Sequence, residues 1–254
     1  MRYFVHLAYN GRNYHGWQLQ INAITVQEVL NNAFSLIFRQ SIELYGAGRT
    51  DTGVHASDYY AHFDIDTEIE KHNISKFIYK LNAILKEDIV IYNIFRVDDD
   101  AHARFDAISR TYKYYINLQK NVFNNDFSYN YYLDLDVYRM NEACKILFEY
   151  EDFSCFSKSK TQTKTNNCKI MEANWEIIDN QLIFTITADR FLRNMVRAVV
   201  GTLLEIGSGK LQIEDLHNII KRKNRSDAGY SVPAKALFLS KVNYPEKIIK
   251  LNSK

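Results

Sequence analysis

The first 106 residues alternate between short apolar runs and longer stretches in which apolar positions recur at helical spacing. Runs rich in β-branched and aromatic residues predict strands. Thr25 and Asn73 stand where each of two helices would need an N-terminal cap. The predicted order is β-α-β-β-α-β, with strands over Tyr3–Tyr9, Ile42–Tyr45, Tyr59–Ile65 and Ile89–Val97, and with helices from Thr25 to Arg39 and over Ile74–Leu85.

The rest of the chain repeats this order with one additional helix. The pair Asp179-Asn180 separates two apolar runs and predicts a tight hairpin turn. Gly207 follows a long apolar helical pattern and predicts its end. The predicted strands cover Thr111–Leu118, Ile170–Ile178, Leu182–Ala188 and Ala236–Val242, and the predicted helices cover Val137–Tyr150, Phe191–Ile206 and Ile213–Arg222.

Two consecutive split β-α-β patterns favour an α+β fold. We expect two ferredoxin-like (βαββαβ) halves, with mainly antiparallel sheets that flank a central cleft. The expected N-terminal subdomain covers residues 1–106, and the expected C-terminal subdomain covers residues 107–254. Such an architecture serves many unrelated functions, so function has to be argued from particular residues.

Composition and charge narrow the class of protein. The chain has 254 residues, of which 46% are hydrophobic, so it can bury a sizeable core, and its net charge is only +2. Residues 1–105 carry ten Lys or Arg against thirteen Asp or Glu, whereas residues 106–254 carry 22 against 17. The positive excess in the second part suits a polyanionic partner, and chance scatter explains it equally well.

The cysteines and the apolar runs indicate an intracellular protein. Cys144, Cys155 and Cys168 form no CxxC pair and are odd in number, which is typical of reduced thiols rather than of a disulfide framework or a zinc site. No apolar run reaches the about 18 residues that a membrane span needs. The N-terminal residues lack the apolar run of a signal peptide and are expected to form a strand. We therefore expect a cytoplasmic protein without a metal.

The segment Gly46–Ala56, which reads GAGRTDTGVHA, is the strongest candidate for a site of chemistry. Three glycines within eight residues allow tight turns and close approach of a ligand. The segment also contains a carboxylate, a guanidinium and an imidazole. By composition alone a solvated turn would be the favoured interpretation, and the segment lacks the pattern of a phosphate-binding P-loop.

Several further motifs occur in order over about residues 3–245. Together with Gly46–Ala56 they resemble the signatures of the tRNA pseudouridine synthase A family. The segments that carry this resemblance are Asn10–Gln18, Thr25–Glu28, His102–Asp106, Ser109–Tyr114, Asp152–Phe156, and Asn194–Arg197 with Gly201.

The resemblance implies an enzyme that isomerises uridine to pseudouridine in the anticodon stem–loop of tRNA, at positions 38 to 40. It implies no cofactor, and it implies a homodimer. The family's loop carboxylate, here Asp51, would open the glycosidic bond. A carboxylate can do this as a nucleophile or by abstracting a ribose proton, and the sequence leaves both routes open.

Four other residues take substrate-binding roles by this resemblance. Tyr112 would stack on the detached uracil, and its hydroxyl would reach the C5 proton. Arg197 would keep Asp51 ionised. Arg49 would fill the space left by an extruded base or grip a phosphate. Leu237 would line the uracil pocket.

Each of these residues also has a purely structural interpretation. Tyr112 lies in an aromatic strand, where most tyrosines simply pack. Arg197 is spaced with Arg190 and Arg193 as on one solvated helix face. Arg49 could form a structural salt bridge, and a lone Leu in a strand is usually a core residue.

The chain departs from the family pattern at two positions that concern RNA contacts and pocket fit. Ser157 stands where the family often has Arg, and Ala236 stands where Gly is common. His55 lies in the Gly-rich segment, but we expect it to be structural because the family assigns it no catalytic role. Candidates for phosphate contacts, each with solvated surface as the alternative, are Lys158, Lys160, Lys164, Lys221, Arg222, Lys223 and Arg225.

Two rival functions remain open at this point. A non-catalytic RNA-binding protein could use exposed aromatic residues on ferredoxin-like sheets to stack bases. A glycosidic hydrolase usually needs a second carboxylate near the first, and the nearest downstream one, Asp58, opens a predicted strand.

Overall fold

The computed structural model describes residues 1–158 and 165–249. The chain divides into two compact units, which we call the first unit (Met1–Ile108 with Leu239–Lys254) and the second unit (Ser109–Phe238). The strands are β1 (Arg2–Tyr9), β2 (Tyr45–Gly46), β3 (His55–Asp64), β4 (Ile89–Arg96), β5 (Ser109–Asn117), β6 (Tyr129–Asn130), β7 (Ile170–Ile178), β8 (Gln181–Ala188) and β9 (Leu237–Asn243). The helices are α1 (Val26–Phe38), α2 (Lys71–Ile84), α3 (Val137–Ile146), α4 (Met195–Gly207), α5 (Asp215–Arg222) and α6 (Glu246–Ile249).

The fold is of the predicted α+β class, and most of its strand pairs are antiparallel. In the first unit, β1 lies between β4 and β3 and is antiparallel to both, and the short β2 pairs with β3. In the second unit, β8 lies between β5 and β7 and is antiparallel to both. The two-residue β6 is parallel to β5.

Local sequence signals locate several elements correctly. Thr25 caps α1 as predicted, and its hydroxyl accepts a hydrogen bond from the Glu28 amide at 3.3 Å. The predicted hairpin is also confirmed: Asp179 and Asn180 have φ angles of 49° and 61°, as a turn with two left-handed residues requires. Asn and Asp tolerate this conformation better than other residues with side chains, which is why the pair signals the turn.

Three predicted elements of the first unit need correction. The strand expected over Ile42–Tyr45 is reduced to β2, because the Ile42 and Leu44 amides donate to side chains of α1 instead of to a strand. β3 begins earlier than expected, at His55. α2 also begins earlier, at Lys71, and Asn73 donates its side-chain amide to Glu70 instead of capping the helix.

The start of α4 differs from the prediction in a way that concerns the candidate site. The helix begins at Met195 and not at Phe191, because Asn194 has a φ angle of 68° and interrupts the helical backbone. Arg190 and Arg193 therefore lie outside the helix. The predicted shared helix face of these two residues with Arg197 is wrong.

Each unit has its own apolar core. In the first unit, Phe34 and Phe38 of α1 pack against Phe63 of β3. In the second unit, Trp175 and Phe184 pack against each other across β7 and β8, and α4 is buried along most of its length. Among residues 1–158 and 165–249, no helix is long and apolar enough to cross a membrane.

Candidate active site

Asp51 lies in the first unit, on the loop that connects β2 to β3, and it is half-buried. The start of the loop is attached to β3 by two hydrogen bonds. The Ala47 amide donates to the Tyr60 carbonyl at 2.8 Å, and the Tyr59 hydroxyl donates to the Gly48 carbonyl. Next to Asp51, the buried Thr50 hydroxyl is 2.9 Å from the hydroxyl of Tyr9 on β1. Contacts with β1 and β3 therefore hold the backbone that carries the Asp51 carboxylate.

The segment after β1 packs directly against this loop. The Trp17 amide donates to the Thr50 carbonyl at 3.4 Å, and the Gly53 amide donates to the Tyr14 carbonyl at 3.3 Å. Gly16 has a φ angle of 84°, and a Cβ atom at this position would lie 2.2 Å from the Thr50 carbonyl oxygen. Only glycine permits this approach. This contact joins the segment around Gly16 to the loop that carries Asp51.

His55 is buried at the base of the same loop. Its Nδ1 atom accepts a hydrogen bond of 3.0 Å from the Gly11 amide, so Nδ1 carries no proton. This contact supports the expectation that His55 has a structural role. The ring joins the start of β3 to the turn that follows β1.

Arg49 is exposed, two residues before Asp51. Its Nε atom donates to the side-chain oxygen of Gln18 at 3.0 Å. This partner is a neutral amide and not the carboxylate that the salt-bridge interpretation expects. A neutral partner leaves the positive charge of the guanidinium uncompensated by this bond, which suits contact with an anion.

In the second unit, Tyr112 and Tyr114 lie on the same face of β5 but have different surroundings. Tyr114 is fully buried, its hydroxyl donates to the Pro233 carbonyl at 3.0 Å, and burial raises its pKa well above the usual range. Tyr112 is half-buried, and its ring meets the Phe191 ring edge-on at 5.1 Å between centroids. Tyr114 is thus a packing residue, whereas part of the Tyr112 side chain is open to solvent.

Arg197 lies in the first turn of α4 and is half-buried, so it does not belong to a solvated helix face. Its Nε atom donates to the Val232 carbonyl at 2.6 Å, and its own carbonyl accepts from the Val232 amide at 3.3 Å. Asn194 and Arg225 both donate to the hydroxyl of the adjacent Ser231. The Arg197 side chain is therefore oriented by a stretch of backbone before β9.

Leu237 is the first residue of β9 and is buried, at 5% exposure. Residues 231–237, which we call the pre-β9 segment, run from the contact with Arg197 to this leucine. The same segment accepts the Tyr114 hydrogen bond at Pro233. The pre-β9 segment thus ends at Leu237, binds Arg197, and binds Tyr114 on the strand that also carries Tyr112. Three of the predicted substrate-binding residues therefore lie in or next to this segment within the second unit.

Sequence reasoning did not identify the pre-β9 segment. Its contacts with Arg197 and Tyr114 use main-chain carbonyl groups, which every residue type carries. The available signal was the proline at position 233, since proline between two elements often marks a defined turn.

The candidate phosphate contacts differ in their intramolecular partners. Lys223 pairs with Asp152 at 2.7 Å, and Arg222 lies 3.8 Å from Asp227. Arg225 donates to two carbonyl groups as well as to Ser231. Lys158 and Lys221 are exposed. Lys160 and Lys164 lie outside the described residues.

The two positions that depart from the family pattern are both buried. Ser157 is 8% exposed, and Ala236 is fully buried beside Leu237. The neighbouring Lys158, which could replace the family's arginine, donates its amide to the Arg193 carbonyl at 3.1 Å. Lys158 is therefore held beside the chain that leads into α4.

The described residues give little support for a metal site or for a reactive thiol. Within it, no group of three or more His, Cys, Asp or Glu side chains could hold a metal ion. Cys144, Cys155 and Cys168 are buried, and burial raises the pKa of each thiol to about 12. These cysteines are protonated packing residues at neutral pH.

Comparison with known proteins identifies the family of the chain. The sequence profile of a family described as tRNA pseudouridine synthase matches residues 143–245. A protein from Bacteroides fragilis named tRNA pseudouridine synthase A is 54% identical over 248 residues, which cover 97% of this chain and 98% of the relative. A protein of the same name from Porphyromonas gingivalis is 51% identical over 97% of this chain and 98% of its own length.

A more distant relative of the same name comes from Clostridium acetobutylicum and is 40% identical over 94% of this chain and 97% of its own length. These matches extend far beyond the segment that the family profile covers, so they include the first unit as well as the second. At such identity over nearly the whole length, the chain belongs to the tRNA pseudouridine synthase A family.

Proposed function

We propose that this protein converts uridine to pseudouridine in the anticodon stem–loop of tRNA, at positions 38 to 40, with Asp51 as the catalytic carboxylate. The observation that carries the proposal is the half-buried Asp51 on a loop held by the hydroxyl groups of Tyr9 and Tyr59. A carboxylate fixed in this way loses little conformational entropy when it meets a substrate. It remains accessible because the loop residues around it are partly exposed.

The reaction exchanges one bond of the uracil ring for another. The bond between N1 and the ribose breaks, the uracil turns, and C5 bonds to the ribose carbon. The C5 proton then leaves and N1 gains a proton, so no oxidant, reductant or cofactor is consumed. Asp51 begins this sequence as a nucleophile or by abstracting a ribose proton, and both routes use the ionised carboxylate.

We propose Tyr112, Arg49, Arg197 and Leu237 as substrate-binding residues. The half-exposed Tyr112 ring suits stacking on the uracil, and the buried Leu237 suits an apolar surface beside it. The bond from Nε to the Val232 carbonyl fixes the direction of the Arg197 guanidinium, which suits a residue that positions an anionic group.

The target base has to leave its stack before it can react. This step costs free energy that contacts with the protein must offset. Arg49 is exposed and pairs with a neutral amide, which fits a residue that occupies the vacated space or grips a phosphate.

The finer architecture belongs to the same proposal. We propose that each half is ferredoxin-like, since the order β1, α1, β2, β3, α2, β4 follows the βαββαβ pattern. We likewise propose the functional division into residues 1–106 and 107–254, from the repeated order of elements in the sequence, and a homodimer, from the family. A cytoplasmic location follows from a tRNA substrate.

The experiment uses an anticodon-arm tRNA that carries tritium at C5 of the target uridine. The wild-type protein should release tritium and leave the chain intact, whereas Asp51→Asn should lose at least about 10³-fold in rate, as removal of a catalytic nucleophile does. Asp66→Asn changes an exposed carboxylate after β3 and should keep wild-type activity.

Other results would exclude this function. An RNA-binding protein without activity would bind the arm and release no tritium. A hydrolase would release free uracil. Equal rates for Asp51→Asn and the wild type would remove Asp51 from the reaction.

A further inference from the structure

Three large apolar side chains are exposed on the short connection between β1 and α1. The exposed fractions are 53% for Leu19, 91% for Ile21 and 61% for Ile24. Single exposed apolar residues are common on proteins, but three within six residues form a cluster. We call residues 18–24 the apolar turn.

The apolar turn has a defined backbone conformation. The Leu19 amide donates to the Gln27 side chain at 2.9 Å, and the Gln20 side chain donates to the His15 carbonyl at 2.7 Å. Gln20 forms an antiparallel bridge with Ala23, and Asn22 has a φ angle of 62°. The exposed Ile21 therefore lies at the tip of a turn that is closed by hydrogen bonds.

The base of the apolar turn is joined to the loop that carries Asp51. Arg49 donates to the Gln18 side chain at 3.0 Å, and the Trp17 amide donates to the Thr50 carbonyl at 3.4 Å. Gly16 approaches Thr50 so closely that a side chain would collide with it. The base of the turn is therefore in direct hydrogen-bond contact with a residue of the Asp51 loop.

The charge around the apolar turn indicates its partner. No Asp or Glu occurs from Asn10 to Gln27, whereas Arg12 and His15 are exposed in this stretch. Arg12 and Arg49, of which the second lies at the base of the turn, carry positive charge. The apolar turn itself contains no carboxylate, and the Asp88 carboxylate accepts hydrogen bonds from Asn13 and Tyr14 in the segment before it. Apolar side chains with Arg12 before the turn and Arg49 at its base suit the stacked bases of a nucleic acid, whose phosphates attract these cations.

We propose that the apolar turn is a wedge that inserts Ile21 between bases of the RNA next to the target uridine and keeps the target out of its stack. Apolar residues such as Ile and Leu act in this way in proteins that unstack nucleic acids. The inference rests on the proposed function, because it assigns a role in presenting the base to Asp51. It also predicts a substrate preference. The wedge should raise the rate for a uridine in a base pair and have little effect on one that is already unpaired.

The test compares two anticodon arms that differ only at the base opposite the tritiated uridine. In one arm the uridine is paired, and in the other it faces a mismatch. Ile21→Ala should lower kcat on the paired arm roughly tenfold and leave the mismatched arm within about twofold, because extrusion costs least for a mismatched base. Leu36→Ala is the matched control, since Leu36 is 68% exposed on α1 and lies outside the turn.

A second measurement separates this inference from the proposed function. An arm with 2-aminopurine beside the target becomes more fluorescent when the neighbouring base unstacks, whether or not chemistry follows. The wild type and Asp51→Asn should both give this increase, and Ile21→Ala should reduce it. If the wild type gives the increase without tritium release, the proposed function fails and the wedge stands.

Three results would overturn the wedge. The first is an equal loss of kcat by Ile21→Ala on both arms, which would indicate a structural role. The second is an unchanged fluorescence increase with Ile21→Ala. The third is a change of oligomeric state in Ile21→Ala with RNA binding intact, which would make a second copy of the chain the partner of the turn.

Discussion

The Asp51 loop and the pre-β9 segment hold functional candidates by different means. The Asp51 loop is contiguous in sequence, rich in glycine, and surrounded by hydroxyl groups of Tyr9, Thr50 and Tyr59. The pre-β9 segment contains no comparable motif, and it orients Arg197 through a main-chain carbonyl. The comparison teaches that the Asp51 loop can be recognised from its ordered motif, whereas the pre-β9 segment offers only Pro233 as a sequence signal.

Among the variants that test this comparison of the Asp51 loop with the pre-β9 segment, Gly16→Ala is expected to have the largest effect. In Gly16→Ala, the new Cβ would lie 2.2 Å from the Thr50 carbonyl oxygen and the backbone would keep a positive φ. We expect a loss of about 2–4 kcal/mol in the free energy of unfolding, from the collision and the backbone strain together. Urea denaturation measures this loss.

Gly209→Ala provides the control for backbone strain. Gly209 has a φ angle of 75°, and its Cβ would meet no atom within 4 Å. This variant should lose only about 1–2 kcal/mol, the penalty of the left-handed conformation. Equal losses for the two variants would mean that close packing on the Asp51 loop contributes nothing.

A smaller effect is expected at Arg197, which depends on the pre-β9 segment. Lysine keeps the charge but cannot reproduce the bond from Nε to the Val232 carbonyl. We expect Arg197→Lys to lower kcat/KM roughly tenfold, because hydrogen bonds of charged groups contribute about 1.5–3 kcal/mol. Tritium release from the anticodon arm measures this ratio.

Arg193→Lys is the corresponding control, since Arg193 is exposed and lies before α4 begins. It should stay within about twofold of the wild type, as surface substitutions usually do. Equal kcat/KM values for Arg197→Lys and Arg193→Lys would show that the charge at position 197 is sufficient and that its orientation by Val232 contributes nothing.

The smallest effect concerns the hydroxyl pair of Tyr9 and Thr50. Thr50→Val keeps the shape of the buried side chain and removes its hydrogen bond to Tyr9. We expect the free energy of unfolding to fall by about 1–2 kcal/mol, because the Tyr9 hydroxyl loses a buried partner. Thermal unfolding monitored by circular dichroism measures the change.

Thr50→Ser restores the hydroxyl and should recover most of the lost free energy of unfolding, although it removes a methyl group. A serine variant as impaired as the valine variant would show that packing, and not the hydrogen bond, holds the Asp51 loop.

Much of the fold follows from local signals in the chain. The cap at Thr25 and the turn at Asp179-Asn180 depend on short-range contacts that residue types encode directly. The start of α4 could not be predicted in the same way, because the residues from Phe191 onward continue the apolar helical pattern. Asn194 adopts a left-handed backbone there, and its side chain binds Ser231.

The sequence by itself determined the family, the Asp51 motif and the class of fold, because these depend on residue types in a fixed order. Only the tertiary structure decided which groups support the candidates, such as the Thr50 carbonyl against Gly16 and the Val232 carbonyl on Arg197. The physical reason lies in the backbone. Main-chain carbonyl groups are the same in every residue, so a contact that uses them leaves no trace in the sequence of the residue that provides it.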